Sequence, residues 1–335
     1  MDISLYAARA EDIDVLSIYQ IAKFFRCHQS VTRDDCNSTA ANITGSAVSP
    51  TLVQGVTSYT VAADTAPRPR VVQFRNSALN VEIVREARRA YGDFVPNCES
   101  HGMLSDVYVY EMDFVPGVAL SRARRQLLAH GSEQRLLRTV QDFARTIFFA
   151  SAWINRLRVK QPPDAARELC AHYSQIVDQL SQGLPKRFQP KLDEIRQGLP
   201  LLFRSDYPMV LNHDDLLEMN IHVDEVTGGI TGIVDWADAI IAPFGTSLGG
   251  LETVLGVQTS SCWFFHPDHD LLRTHFWKTF YEITGRLSDS DRRAIEVARL
   301  FGLFRTHGFD RRPEKENALS LEEGELVCLE AFCLR

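Results

Sequence analysis

The spacing of apolar residues changes period several times along the chain, and each change predicts an element. Ile13, Leu16, Ile18, Ile21, Ala22 and Phe25 recur near helical spacing and predict an amphipathic helix within residues 1–30. The stretch from Thr32 to Ser49 is rich in Asp, Asn, Ser and Thr and reads as an exposed loop. From Thr51 the pattern turns strand-like, with runs at 51–55, 58–63 and 71–75, the last two joined by a polar connection at 64–70. Between Ala78 and Tyr91 the residues Leu79, Ile83, Ala87 and Tyr91 share a helical face, and Gly92 supplies the stop. Residues 106–112 alternate as another strand. After Val115-Pro-Gly117 the period becomes helical, over 132–157, 166–180, 191–202, 251–257, 271–284 and 289–304. The charged tail 311–325 reads as exposed.

One stretch interrupts the helical half. Pro208–Leu211 and Asn220–Val223 are short apolar strands around a polar loop, and Thr227-Gly-Gly229 is a hairpin signal. The run Ile230–Val234 then ends on Asp235. The loop carries His213-x-Asp215-x-x-x-x-Asn220, so an Asp, an Asn five residues later and a second Asp after the hairpin follow in order. Phosphoryl transfer needs such a set: a carboxylate to orient a hydroxyl and take its proton, and oxygen ligands for Mg²⁺ at the phosphates. An HD-type metal phosphohydrolase would also contain His213-Asp214, but such sites are built on helices and the β-branched flanks here oppose one.

These motifs resemble the catalytic loop and metal-binding Asp of the aminoglycoside phosphotransferase and choline kinase branch of the protein-kinase-like superfamily. The ending Val-Asp-Trp-Ala-Asp-Ala239 is similar to the fungal members. The resemblance implies an α+β fold of two lobes. Its N-lobe, at 51–115, would be a small antiparallel β-sheet with one helix, preceded by a helix and loop at 1–50. Its larger C-lobe, at 116–335, would be mainly helical and hold the catalytic loop at 211–239. Asp215 would be the base, Asn220 and Asp235 the metal ligands, and His213 a brace of the loop. Gln54 to Thr60 would cover the nucleotide, with Ser58 among its phosphate partners, and Tyr110 to Met112 would offer backbone groups to the adenine.

The strand Val71-Val-Gln-Phe-Arg75 departs from the kinase pattern, which places a Lys there, paired to a Glu of the next helix. Gln73 occupies the inward position; Arg75 shares its face, two residues on, and can carry the charge instead. Glu82 would be the helix partner, with Glu86 one turn later in reserve. Asp238 and Glu218, near the loop, favour a cationic or amine-bearing acceptor.

Composition narrows the class further. A hydrophobic fraction of 45% with 24% charged residues is that of an ordinary globular protein. The net charge of −7 opposes a general nucleic-acid or anionic-membrane partner. No apolar run approaches the ~20 residues of a membrane span, and no signal peptide is evident. Seven cysteines without a C-x-x-C pair read as reduced thiols of a cytosolic protein. The expectation is an ATP- and Mg²⁺-dependent phosphotransferase acting on a hydroxyl of a small molecule. Two alternatives stand beside it. One is a pseudokinase-like binding protein, favoured by Gln73 and the glycine-poor loop. The other is a pocket turned to different chemistry in fungal natural-product metabolism. Oligomeric state is not legible.

Overall fold

The computed structural model describes residues 2–63, 68–147, 152–153, 163–285, 287–309 and 323–334. Strands β1 (Val48–Pro50), β2 (Ser58–Ala63), β3 (Arg70–Arg75), β4 (Cys98–Leu104) and β5 (Val107–Asp113) form one antiparallel sheet in the order β1-β2-β3-β5-β4. Alternation gives this sheet two unlike faces. Tyr59, Val61, Val72, Phe74, Val107 and Val109 point outward into a core of their own, closed by α1 (Ala10–Cys27) and α2 (Arg33–Thr44). The alternate residues, Gln73, Arg75 and Tyr110 among them, face the other way, towards α3 (Val81–Tyr91) and the second lobe.

Helix α2 replaces the loop expected at 32–49. Its signals are local: Thr32 and Asp35 form a reciprocal capping box, and Gly45 ends the helix at φ 71°. Only Cys36 and Ala40 are buried along it, so its apolar stripe is too narrow to register as a helical period. The strand expected at 51–55 is a loop instead. Gln54 closes it, donating to the carbonyls of Thr51 and Thr60 and accepting from the Thr60 amide, so one side chain takes the place of a ladder.

After the linker 114–117, β6 (Val118–Ala119) leads into helices α4 (Leu120–Leu127) and α5 (Glu133–Asp142). α5 runs into a π-helical turn at Phe143–Ile147; of the long helix expected at 132–157, residues 148–151 and 154–157 lie outside the described residues. Helices α6 (Pro163–Gly183) and α7 (Gln189–Leu202) follow, then β7 (Met209–Asn212), β8 (Ile221–Val223), β9 (Ile230–Ile233) and β10 (Ile240–Pro243). β7 pairs with β10, and β8 lies between β6 and β9. The helix expected at 251–257 is the short α8 (Gly250–Val254), and Gly256–Gln258 becomes β11, paired with β12 (Trp263–Phe265). Helices α9 (His269–Thr284), α10 (Asp289–His307) and α11 (Glu323–Cys333) complete the lobe; residues 311–322 of the expected tail lie outside the described residues. Among the described residues no helix is long and apolar enough to cross a membrane.

Two glycines set the hairpin that carries the site. At Gly117 (φ 82°) a Cβ would stand 2.3 Å from the Val223 carbonyl oxygen, so the linker can lie against β8 only with glycine there. Gly228 (φ 74°) brings the β8–β9 turn onto α5, where a Cβ would meet the Arg135 carbonyl at 2.2 Å and Thr139 donates to the Gly228 carbonyl at 2.6 Å. Gly228→Ala should therefore lower stability by about 2–3 kcal/mol, from strain at positive φ and overpacking against backbone. Chemical denaturation of the two proteins measures the difference.

Candidate active site

The site is assembled around the peptide groups of Val234. Its carbonyl accepts from His213 Nε2 at 2.8 Å, and its N–H donates to the Asn220 carbonyl at 2.9 Å. The loop after β7, the start of β8 and the end of β9 are thereby joined one residue before Asp235. His213 is 1% exposed and lies edge-on to Trp236, ring centroids 4.8 Å apart. Burial pushes its pKa down, so the neutral ring acts as a donor to the carbonyl and as a brace.

The Asn220 amide nitrogen donates to the Asp215 carbonyl oxygen at 2.8 Å and to Asp215 Oδ2 at 3.1 Å. These bonds fix the base candidate and leave the Asn220 side-chain oxygen, Oδ1, as the end that can serve a cation. Asp215 lines an open cleft of about 510 Å³ with Asp214, Ala237, Asp238, Ala239 and Ile240. Asp235 follows β9 at φ 59° and ψ 63°, one of two non-glycine residues at positive φ among those described. A left-handed L-residue costs about 1–2 kcal/mol and persists where its surroundings fix it. Val234 on one side and the buried Trp236, whose indole donates to the Ile233 carbonyl, do so here.

From β3 of the N-lobe sheet, Arg75 Nη1 approaches Asp235 Oδ1 at 3.4 Å and donates to Gln73 Oε1 at 3.0 Å. The Gln73 amide donates in turn to Thr60 Oγ1 at 3.2 Å and Ser58 Oγ at 3.4 Å. The Arg75 side chain is 9% exposed, and its Nε has no hydrogen-bond partner among the described residues. A buried guanidinium with a donor to spare, on the cleft face of the sheet, suits an anion.

Other expected residues fall elsewhere. Glu82 does not reach the strand: it is exposed and pairs with Arg85 one turn on, as Glu86 does with Arg89. The helix reaches the site through Tyr91 instead, which stacks on Trp236 with centroids 5.4 Å apart and donates to the Leu211 carbonyl. The main chain of Tyr110 to Met112 is covered on both edges, by β3 and by β4, so the ladder occupies the groups expected to meet adenine. The Tyr110 hydroxyl accepts from the Leu79 amide. Ser58 is buried beneath Gln73 rather than presented at the loop tip. Glu218 pairs with Arg124 at 3.2 Å, whereas Asp238 lines the cleft beside Asp214 and Asp215. Asp214 pairs with Arg305 of α10, so the adjacent His213 and Asp214 serve different partners and do not share a ligand site. Neither Arg305 nor Tyr91 carried a sequence signal, because each meets its partner only through the fold. Among the described residues the cluster with metal-ligand spacing is Glu99, His101 and Glu111, on the outer face of the sheet, where Arg70 already pairs with Glu111.

No curated protein matches the chain significantly in sequence. Among solved structures, the aminoglycoside phosphotransferase APH(4)-Ia superposes with a TM-score of 0.50 at 15% identity, covering 82% of this chain and 90% of that one. The type VIII aminoglycoside-3'-phosphotransferase gives 0.46 at 19% identity, with 80% and 97% covered. The macrolide 2'-phosphotransferase MphH of Brachybacterium faecium gives 0.46 at 12%, with 79% and 88% covered. At such identities the likeness is one of fold, and the first comparison bears it: a two-lobed, protein-kinase-like α+β architecture. The model described as the phosphotransferase enzyme family matches residues 51–253, more than half of the chain and every residue of the site just described except Arg305, and the chain belongs to that family.

Proposed function

We propose that the protein transfers the terminal phosphoryl group of ATP, with Mg²⁺, to a hydroxyl of a small molecule. The observation that carries this reading is the bonding of Asn220 to the Val234 N–H and to Asp215, with Asp235 next after Val234 and facing the buried Arg75. The donor set is oxygen only, an amide carbonyl and a carboxylate, which suits a hard divalent cation. Mg²⁺ held by Asn220 and Asp235 would neutralise charge at the phosphates. Asp215 orients the acceptor hydroxyl and takes its proton, with Asn220 holding the carboxylate. Arg75 meets the phosphates in place of the missing strand lysine, steadied by Gln73. The adenine contact moves from Tyr110–Met112 to the linker that follows, where the sheet ladder ends. Asp238 gives the acceptor wall a negative charge and favours a cationic or amine-bearing substrate.

A second reading, nucleotide binding without transfer, is favoured by one observation: Gln73 stands where the lysine is expected, and no glutamate of α3 reaches the strand. The two readings separate on basal ATP hydrolysis, with water as acceptor. Asp215→Asn should leave the Mg-ATP dissociation constant within about threefold and lower hydrolysis by about 10²–10⁴. Asp235→Asn should weaken Mg-dependent nucleotide binding about tenfold or more, read by calorimetry. If the parent binds nucleotide and shows no hydrolysis that Asp215→Asn removes, the binding reading wins.

The strand makes a separate prediction. Arg75→Ala should raise the dissociation constant of ATP by about tenfold or more, the worth of a charge-assisted contact, and Gln73→Ala by only about twofold. Equal affinities for Arg75→Ala and the parent would remove Arg75 from the phosphate site.

A further inference from the structure

Helix α1 carries apolar residues on both faces, with Ile13 and Phe24 buried on the inner one. Its polar Ser17 and Gln20 are buried, while Val15 (67% exposed), Ile18 (67%), Tyr19 (54%) and Leu16 (47%) lie open. The inward face has a use: Ser17 Oγ donates to the Leu52 carbonyl and accepts from the Gln54 amide, holding the loop 51–57. The outward face has no side-chain partner outside α1 among the described residues. At 100° per residue, Glu11, Val15, Ile18 and Ala22 fall on one strip, flanked by Tyr19 and Arg26, and all six are exposed. Arg26 lies along this strip, its guanidinium 6.0 Å from the Tyr19 ring centroid.

The pattern of charged and apolar positions is the same read backwards, with the sign of the end charge reversed. A two-fold axis between Ile18 and Tyr19, with a second helix antiparallel, sets Ile18 against Tyr19, Val15 against Ala22 and Glu11 against Arg26, each pair occurring twice. Isologous two-fold contacts require this self-complementarity. We propose that α1 is the contact of a homodimer, packed antiparallel on α1 of a second copy of this chain. The neighbouring acids do not disturb the pairing, since Asp12 is engaged by Arg9 and Asp14 by Arg122. A lipid surface fits less well: the chain carries a net charge of −7, and the first turn presents Glu11 and Asp12 beside the strip. One helix pair buries less than the ~1,200 Å² of a standard interface, so the dimer is a weak, concentration-dependent one. Because the opposite face of α1 holds the loop 51–57, dimerisation stiffens the helix on which that loop rests.

Sedimentation velocity over about 1–200 µM tests the proposal. The parent should show a monomer–dimer equilibrium within that range. Ile18→Glu, at an exposed position, should keep the parental melting temperature and remain monomeric throughout. Glu11→Arg and Arg26→Glu should each weaken the dimer about tenfold, because each sets like charges together twice. The double variant Glu11→Arg/Arg26→Glu should return to within about twofold of the parent, because opposite charges then meet again across the axis; in a parallel contact, where each residue meets its own copy, the single variants would not weaken the dimer. A parent that stays monomeric at the highest concentration overturns the proposal, as does a double variant as weak as the singles. Flotation with vesicles of phosphatidylcholine and phosphatidylserine is the remaining arm. Binding by the parent that Ile18→Glu abolishes would give the face to lipid instead.

Discussion

The site depends on Val234 being held from both sides. Its carbonyl takes the hydrogen bond of a fully buried His213, and its N–H is spent on the carbonyl of Asn220. Three chain segments are thus fixed relative to one another by backbone and ring atoms, before any of the acidic side chains is considered. The left-handed turn at Asp235 follows from the same constraint. With Val234 pinned and the Trp236 ring buried between His213 and Tyr91, the one residue between them, Asp235, presents its carboxylate to Arg75. The strain at Asp235 is offset by its neighbours, which is the arrangement expected where backbone geometry aims a functional group.

The coupling between the lobes is built from different parts than a lysine–glutamate pair. Arg75 reaches from β3 to Asp235 itself, and Tyr91 reaches from the end of α3 to Trp236 and the Leu211 carbonyl. An arginine two residues along the strand spans a longer distance than a lysine at Gln73 would, and its fork can hold the glutamine amide and a carboxylate at once. With the charge moved to Arg75, the strand needs no acid from α3, and Glu82 and Glu86 are left to pair with their own helix. The outer face of the sheet is covered by α1 and α2, so these two helices are part of the N-lobe core rather than a preface to it.

Much of this was legible in the sequence, for a physical reason. Helix periods, caps, hairpin glycines and strand alternation arise from hydrogen bonds between residues a few places apart, and so β2, β3, α3, β5, α6, α7, α9 and α10 could be read closely. The order Asp215, Asn220, Asp235 was readable because the loop and hairpin that carry them are themselves local. The sequence misled where composition outweighed chemistry. The polar stretch 32–49 hid a helix whose Thr32–Asp35 box and Gly45 were visible, and Thr51-Leu-Val looked like a strand although the Gln54 side chain closes it as a loop.

What only the tertiary structure decided lies in contacts between distant segments. Arg75 meets Asp235 across 160 positions, Tyr91 meets Leu211 across 120, and Arg305 meets Asp214 across 91. No period or spacing encodes such pairs, because each depends on two lobes closing on a shared core. By itself the sequence determined the groups on offer: Asp215, Asn220 and Asp235 in order, and Arg75 on a strand. The fold decided which partner each of them keeps, since a charge leaves water only where packing brings another group to meet it.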